Sequence, residues 1–282
     1  MTKDNVIKES RITRLFARLR KQKRPALVTF ITANDPTPNI FQNILTGMPA
    51  AGADIIEIGI PFSDPMADGP AIQASSQRSL RHNTRISDVF DAVKVFRGIE
   101  SNTPIVLMGY YNPIYRYGAK DFAQDAILAG VDGVIVVDLP PEEAEELNIY
   151  LRSNGLHMIC LAAPTSSNKR LPTILDHASG FLYYVSITGI TGTRSADASV
   201  IKDEVERLRK YTNLPIAVGF GIKNPESAAA IAANCDAVVV GSSIVEIIAK
   251  DVEKNGSPSL GLAGTVLEFV KSLATSVNRA WT

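Results

Sequence analysis

The segment Asp54-Ile55-Ile56-Glu57-Ile58-Gly59 shows the pattern on which the fold prediction depends. Apolar residues occupy consecutive positions, which is typical of a strand that is buried on both faces in a parallel sheet. One carboxylate, Glu57, interrupts them. The segment therefore predicts a buried strand with an ionisable group near its carboxyl end.

Runs of this kind occur eight times along the chain, with amphipathic helical stretches between them. The runs are Ala26–Ile31, Asp54–Ile58, Ile105–Met108, Gly133–Val137, His157–Leu161, Phe181–Val185, Ile216–Val218 and Ala237–Val240, and the helical stretches include Ile86–Ile99, Pro141–Arg152 and Val200–Lys210. Strands that alternate with helices predict a parallel sheet, and eight such units predict closure into a (β/α)₈ TIM barrel. An open doubly wound sheet is the alternative, but no G-x-G-x-x-G follows the first run.

Nothing in the sequence resembles a linker between domains, so residues 1–282 are predicted to form a single TIM-barrel domain. The basic N-terminal stretch allows two interpretations. It could be a transit peptide, although Asp4 and Glu9 interrupt its positive charge. The favoured interpretation is an additional N-terminal helix packed on the bottom of the barrel, because apolar residues recur at helical spacing: Ile12, Leu15, Phe16 and Leu19.

Composition excludes several classes of protein. Lys and Arg together number 29, as do Asp and Glu, so the basic excess of a nucleic-acid-binding protein is missing. No apolar run reaches the roughly 18 residues that a membrane span needs. Cys160 and Cys235 lie in or beside apolar runs, and two buried thiols fit a reducing compartment, so we expect the protein to be cytoplasmic.

Two glycine-containing segments indicate a phosphate site. Gly219-Phe220-Gly221 ends the seventh run, and Gly241-Ser242-Ser243 ends the eighth and opens a helix. In TIM barrels the loops after strands 7 and 8 commonly bind phosphate through backbone amides and a helix start. A structural alternative is that Ser243 only forms a capping box with Glu246.

Carboxylates follow the second run. A buried carboxylate such as Glu57 is costly, and burial would raise its pKa into the range of a general acid. The structural alternative is that Glu57 pairs with a buried arginine or caps backbone amides. In the next loop, Ile60–Pro70, Asp64 and Asp68 could bind a ligand or serve as turn and helix-cap residues. Asp138, after the fourth run, is another acidic candidate, or it only shapes its turn.

Other chemistries find less support in the sequence. The three histidines are scattered, no G-x-S-x-G is present, and no lysine lies within an apolar strand. A magnesium site made from Glu57, Asp64 and Asp68 stays open as an alternative. The segment Thr188–Ser199, after the sixth run, contains glycines and few apolar residues, which suits a mobile lid.

The fourteen residues Glu57–Pro70, EIGIPFSDPMADGP, closely resemble the signature of the tryptophan synthase alpha chain. Met66 stands where leucine is commoner, a volume-conserving difference. The resemblance extends over nearly the whole chain, through Met108–Pro113, Ile187–Gly192, Gly219–Ile222 and Gly241-Ser242.

The resemblance implies a lyase that cleaves indole-3-glycerol phosphate to indole and glyceraldehyde 3-phosphate in tryptophan biosynthesis, with no metal or cofactor of its own. It implies that Glu57 shuttles protons between indole C3 and the glycerol hydroxyl, and that Asp68 accepts the indole N–H. Thr191 would close the lid over Asp68. The remaining implied substrate contacts are Gly192, Gly221, Gly241 and Ser242 for the phosphate, and Phe30, Tyr183 and Phe220 for the indole ring.

The resemblance also implies a partner, the pyridoxal-phosphate-dependent beta chain, in an α₂β₂ heterotetramer. Asp64 and Pro65 would then be interface residues. Other phosphate-binding barrels, an activating subunit without catalysis and a stand-alone indole-producing lyase stay open as alternatives.

Overall fold

A computed structural model describes residues 10–186, 198–219 and 221–281. In these ranges nine parallel strands form one sheet in the order β5-β4-β3-β2-β1-β9-β8-β7-β6. The strands are β1 (Ala26–Thr32), β2 (Ile55–Gly59), β3 (Ile105–Gly109), β4 (Gly133–Val136), β5 (His157–Met158), β6 (Leu161–Ala162), β7 (Leu182–Val185), β8 (Ile216–Gly219) and β9 (Ala237–Val240). The predicted TIM-barrel fold is confirmed.

The fifth predicted strand, His157–Leu161, is divided into β5 and β6. Between them, the N–H of Ile159 donates to Val134 O of β4 at 2.9 Å, and Cys160 O accepts from the N–H of Tyr183 of β7 at 3.0 Å. This short segment therefore contacts one neighbouring strand with its first half and the other neighbour with its second half. The two outermost strands of the sheet are consecutive in the chain, and the barrel closes through them.

Helices pack around the sheet, and none in the described ranges combines the length and hydropathy needed to cross a membrane. The helices are α1 (Arg11–Gln22), α2 (Pro38–Ala51), α3 (Pro70–Leu80), α4 (Ile86–Arg97), α5 (Tyr111–Tyr117), α6 (Ala119–Ala129), α7 (Glu145–Ser153), α8 (Leu171–His177), α9 (Ala198–Arg209), α10 (Pro225–Ala232), α11 (Ser242–Asn255) and α12 (Leu262–Val277). The predicted helix over Pro141–Arg152 instead begins as a short 3₁₀ turn, Pro141–Glu143, before α7.

Buried apolar residues form two clusters, one between the sheet and the helices and one inside the barrel. Strand β2 contributes to both, because successive side chains on a strand point to opposite faces. Ile56 and Ile58 belong to the outer cluster, whereas Ile55 belongs to the inner one. Glu57 shares the face of Ile55, so its carboxylate points into the barrel.

The N-terminal helix α1 covers the bottom of the barrel, as predicted. Its buried residues are the four apolar positions identified from spacing, and they join the inner cluster. The ring of Phe16 lies 6.0 Å from that of Phe181, which precedes β7. Arg11 forms a 3.0 Å ion pair with Asp132, which precedes β4. With the amino-terminal end of the barrel covered, the opposite end is left for a ligand.

Candidate active site

A cavity of about 240 Å³ opens at the carboxyl ends of the strands. Active sites of TIM barrels lie at this end. Seven of the residues singled out from the sequence line the cavity together: Phe30, Glu57, Asp68, Tyr183, Gly221, Gly241 and Ser242. They come from the ends of β1, β2, β7, β8 and β9, which shows that the tertiary structure brings the two acidic residues and the glycine segments to one place.

Glu57 is the most deeply buried acidic residue of this cavity. The residue is only 1% exposed to solvent. Neither of its carboxylate oxygens has a hydrogen-bond partner among the described residues. Burial, with a smaller contribution from the charge of Asp68, raises the pKa of Glu57 to about 8. Neither structural alternative for Glu57, an ion pair with arginine or capping of backbone amides, is supported in the described residues. An unpaired buried carboxyl facing a cavity is typical of a catalytic group.

Asp68 lies in the loop between β2 and α3 and faces Glu57 across the cavity. Gly69, and not Asp68, is the N-cap residue of α3, so the helix-cap interpretation of Asp68 is wrong. Burial raises the pKa of Asp68, and a hydrogen bond with Tyr110 opposes that rise. The two carboxyl groups therefore differ in environment, because among the described residues Asp68 has a hydrogen-bond donor beside it and Glu57 has none.

Aromatic rings form the apolar wall, and neighbouring glycines give them room. A Cβ atom added at Gly59 would lie 2.6 Å from the ring of Phe30, and one at Gly219 would lie 2.4 Å from the hydroxyl of Tyr183. Burial and the two nearby carboxylates raise the pKa of Tyr183 well above 10, so its phenol stays protonated. The wall can pack against a flat aromatic substrate and offers one neutral hydroxyl.

The opposite rim of the cavity is formed by backbone. Helix α11 begins at Ser242 after the N-cap residue Gly241, which makes no side-chain cap. The first N–H groups of a helix have no intrahelical acceptor, and with the helix dipole they bind anions. Gly221, across the rim, has open space where a side chain would stand. These groups fit a phosphate.

Ser243 does not form the capping box that the sequence offered as a structural alternative. It is the second residue of α11, so it is not the N-cap of a capping box with Glu246. Its Oγ instead donates to Ile222 O at 2.8 Å. This buried hydrogen bond joins the loop after β8 to the start of α11, the two segments that form the phosphate rim.

The other acidic candidates lie elsewhere. Asp64 is exposed and bonded to the hydroxyl of Ser63, and Pro65 is buried within the chain, so of the two only Asp64 offers its side chain to another protein in this conformation. Asp138 accepts the N–H of Tyr111 at 2.7 Å and thus shapes the start of α5. In the described parts of the chain, no three His, Cys, Asp or Glu side chains converge as a metal site.

Three predicted substrate contacts, Thr191, Gly192 and Phe220, lie outside the described residues, as does most of the segment predicted to be a lid. Other cavity-lining residues received no role from the sequence, among them Ile72, Met108 and Val239. Of these three, Met108 lay within a motif, but apolar residues give no sign of whether they line a site or fill a core.

The fold and the cavity define a class: barrel enzymes that use a buried carboxyl pair on a substrate with an anionic group and an apolar ring. The chain belongs to the tryptophan synthase alpha chain family, whose model matches residues 16–269.

Solved structures agree with this assignment. The chain is 38% identical to tryptophan synthase subunit alpha from Legionella pneumophila str. Paris, with 95% of this chain and 98% of that chain covered and a TM-score of 0.88. A structure from Aquifex aeolicus VF5 is 35% identical over 95% and 99% of the two chains, with a TM-score of 0.85. Tryptophan synthase from M. tuberculosis in an open form is 30% identical over 95% and 99%, with a TM-score of 0.83.

Proposed function

We propose that this chain cleaves indole-3-glycerol phosphate to indole and glyceraldehyde 3-phosphate, the alpha-subunit reaction of tryptophan biosynthesis, with Glu57 and Asp68 as its acid–base residues. The family assignment supports the reaction. The observation that carries the residue roles is the convergence of two carboxyl groups, an aromatic wall and a glycine-containing backbone rim in one cavity. Each part of the substrate has a matching part of the site.

Substrate orientation follows from this arrangement. The phosphate binds at Gly221, Gly241 and Ser242, and the indole ring lies against Phe30 and Tyr183. The bond to be broken, between indole C3 and the glycerol carbon, then lies between the rim and the wall, where Glu57 faces the cavity. Binding holds the reacting atoms beside the acid. The substrate's translational and rotational entropy is then lost on binding and not in the chemical step, which supplies much of the rate enhancement.

The chemistry needs one proton donor and one negative charge. Protonated Glu57 gives its proton to indole C3, which turns the ring into an electron sink. Asp68 accepts the indole N–H and stabilises the positive charge on the ring. Glu57, now ionised, removes the proton of the glycerol hydroxyl. The carbon–carbon bond breaks, its electron pair restores the aromatic ring, the aldehyde forms, and Glu57 ends protonated as it began.

The partner is the second part of the proposal. Membership of an alpha-chain family implies a beta chain, and we propose an α₂β₂ heterotetramer in which the beta chain carries pyridoxal phosphate and receives the indole. Asp64, exposed in the same loop as Asp68, supports an interface at this end of the barrel. We also propose that the complex is cytoplasmic, and the two free cysteines are compatible with a reducing compartment.

Indole release from indole-3-glycerol phosphate tests the function directly. We expect the wild type to release indole and Glu57→Gln and Asp68→Asn each to reduce kcat by about 10²–10⁴-fold, the usual contribution of an acid–base group. The matched control is Glu206→Gln, a carboxylate that is 60% exposed on α9. The assignment is wrong if the wild type releases no indole with or without a beta chain. The residue roles are wrong if either cavity variant turns over like the control.

A further inference from the structure

Tyr110 follows β3 and contacts the loop between β2 and α3 at more than one point. Its side chain is 3% exposed. Its ring lies 5.4 Å from that of Phe62, near the start of the loop, and its hydroxyl oxygen accepts the N–H of Ala67 at 2.9 Å, near the end. The residue after Ala67 is Asp68. One rigid, buried side chain therefore spans the loop that carries the second acidic residue of the cavity.

The hydroxyl of Tyr110 has one proton to donate, and Asp68 is the acceptor beside it. The hydroxyl oxygen accepts from Ala67, the residue before Asp68, and its interaction with the Asp68 carboxylate lowers the pKa of that group against the effect of burial. A phenol can donate one hydrogen bond and accept another, so the Tyr110 hydroxyl can interact with Ala67 and Asp68 at the same time. The start of the loop is attached to β3 independently, since the N–H of Ile60 donates to Met108 O at 2.8 Å. Tyr110 thus acts on the end of the loop at which Asp68 lies.

We propose that Tyr110 is a positioning residue for the cleavage reaction, which orients the Asp68 carboxylate toward the indole N–H and keeps it ionised. The inference rests on the proposed function, because it assigns a purpose to the charge of Asp68. A hydrogen bond donated to a carboxylate favours its charged form. The same bond fixes the rotation of the carboxylate, and orientation of an acceptor matters most when its partner is a single N–H.

Other titratable groups lie near Asp68 or near Tyr110. Glu57 on β2 and Tyr183 on β7 face the same cavity, and Asp138 after β4 adds negative charge near Tyr110. Burial and any nearby negative charge favour the protonated form of Asp68. The hydroxyl of Tyr110 is the donor that opposes them among the described residues.

Tyr110→Phe tests the proposal, because it removes the hydroxyl and keeps the ring that packs on Phe62. The matched control is Tyr184→Phe. Tyr184 is also buried, and its hydroxyl donates to the Glu204 carboxylate at 3.1 Å, on the outer face of β7. We expect Tyr110→Phe to reduce kcat/KM about tenfold at neutral pH and to move the acid limb of its pH profile up by about one unit. The control should change neither.

A second measurement does not depend on turnover. Titration of ¹³C-labelled aspartate carboxyls by NMR reports the pKa of Asp68 in the wild type and in Tyr110→Phe, and we expect a higher value in the variant. An unchanged acid limb and unchanged Asp68 pKa in folded Tyr110→Phe overturn the proposal, even if the rate falls. Equal shifts in Tyr184→Phe overturn it as well. Absence of indole release by the wild type would instead remove the proposed function, while the NMR result still decides whether Tyr110 acts on Asp68.

Discussion

The carboxyl group of Glu57 and the carboxylate of Asp68 face one cavity, and the negative charge of Asp68 adds to burial in raising the pKa of Glu57 to about 8. Two neighbouring carboxyl groups in unlike environments titrate apart, and this separation assigns acid and base roles. Near neutral pH we expect Glu57 to hold a proton, and the hydrogen bond with Tyr110 favours the ionised form of Asp68. This is the combination that the proposed cleavage requires at its first step.

The basic limb of the pH–rate profile tests the role of Glu57. If protonated Glu57 starts the reaction, kcat/KM should fall about tenfold per pH unit above about pH 8, since the acid form is lost there. The measurement is the steady-state rate of indole release between pH 6 and about 10 in a constant-ionic-strength buffer. A profile that stays flat through about pH 9.5 would contradict this assignment.

Glu57 should also make folding stability depend on pH. Its pKa is about 8 in the folded state and near the ordinary value of 4.5 when unfolded, so the folded state binds an extra proton between these pH values. The contribution of Glu57 is fully present below pH 4.5 and is lost as pH rises through about 8. We expect the free energy of unfolding to fall across this window by on the order of 4–5 kcal/mol from this group.

Glu57→Gln, which cannot ionise, should lack that decline and be more stable than the wild type at alkaline pH. Urea denaturation of both proteins at several pH values measures the difference. Glu206→Gln, whose carboxylate is exposed, is the control and should follow the wild type. Parallel curves for wild type and Glu57→Gln would show that Glu57 ionises freely in the folded protein.

Ser243→Ala should weaken substrate binding more than it slows chemistry. The variant loses the 2.8 Å hydrogen bond that joins Ile222 to α11, so the two halves of the phosphate rim are no longer attached to each other. We expect KM to rise roughly fivefold, as loss of one hydrogen bond predicts, with kcat nearly unchanged. Ser272→Ala is the control, because Ser272 Oγ also donates to a backbone carbonyl, that of Phe269, but within α12. A fall in kcat at constant KM would contradict the prediction.

His157 should make the protein less stable in mild acid. Its side chain is buried, its Nε2 lies 2.7 Å from Ser10 Oγ, and burial lowers its pKa from the ordinary value of 6.5 to about 4. The neutral form is therefore favoured in the folded state, and its stabilising contribution is present above pH 6.5 and lost as pH falls through about 4. We expect this loss to reach about 2–3 kcal/mol.

This prediction is tested by measuring how steeply the free energy of unfolding changes with pH between pH 6.5 and 4. His157→Asn should show a smaller slope than the wild type, whatever its absolute stability. His82→Asn replaces an exposed histidine that bonds to Pro36 O, and it should change the slope less than His157→Asn does. Equal slopes for His157→Asn and the wild type would mean that the buried imidazole does not resist protonation.

The strands and the bottom helix were predictable because burial leaves a pattern along the chain. A strand with apolar residues on both faces, such as β4, can be recognised without knowledge of its neighbours. The division of His157–Leu161 into β5 and β6 could not be predicted. It depends on which neighbouring strand each residue meets, and apolar composition contains no information about register.

The site was predictable to the extent that its residues break a pattern. Glu57 was recognisable because a carboxylate within an apolar strand is costly, and Asp68 because it lies in a proline-rich loop that matches a family signature. Tyr110 lay within a matching motif but gave no sign of its role, since an aromatic residue after a strand is commonly part of the core. Likewise Ser243 matched a capping-box pattern, and only the actual start of α11 showed that it bonds to Ile222 instead.

The sequence by itself determined which segments are buried strands, that the carboxylate of Glu57 interrupts one of them, and which family the signature resembles. These are local properties, because hydrophobic periodicity and residue chemistry act over a few positions. Only the tertiary structure decided that Glu57 points into the barrel, that Asp68 lies close enough to raise its pKa, and that the ends of β8 and β9 form the opposite rim. Those relationships arise when residues far apart in the chain become neighbours, and that contact depends on closure of the whole sheet.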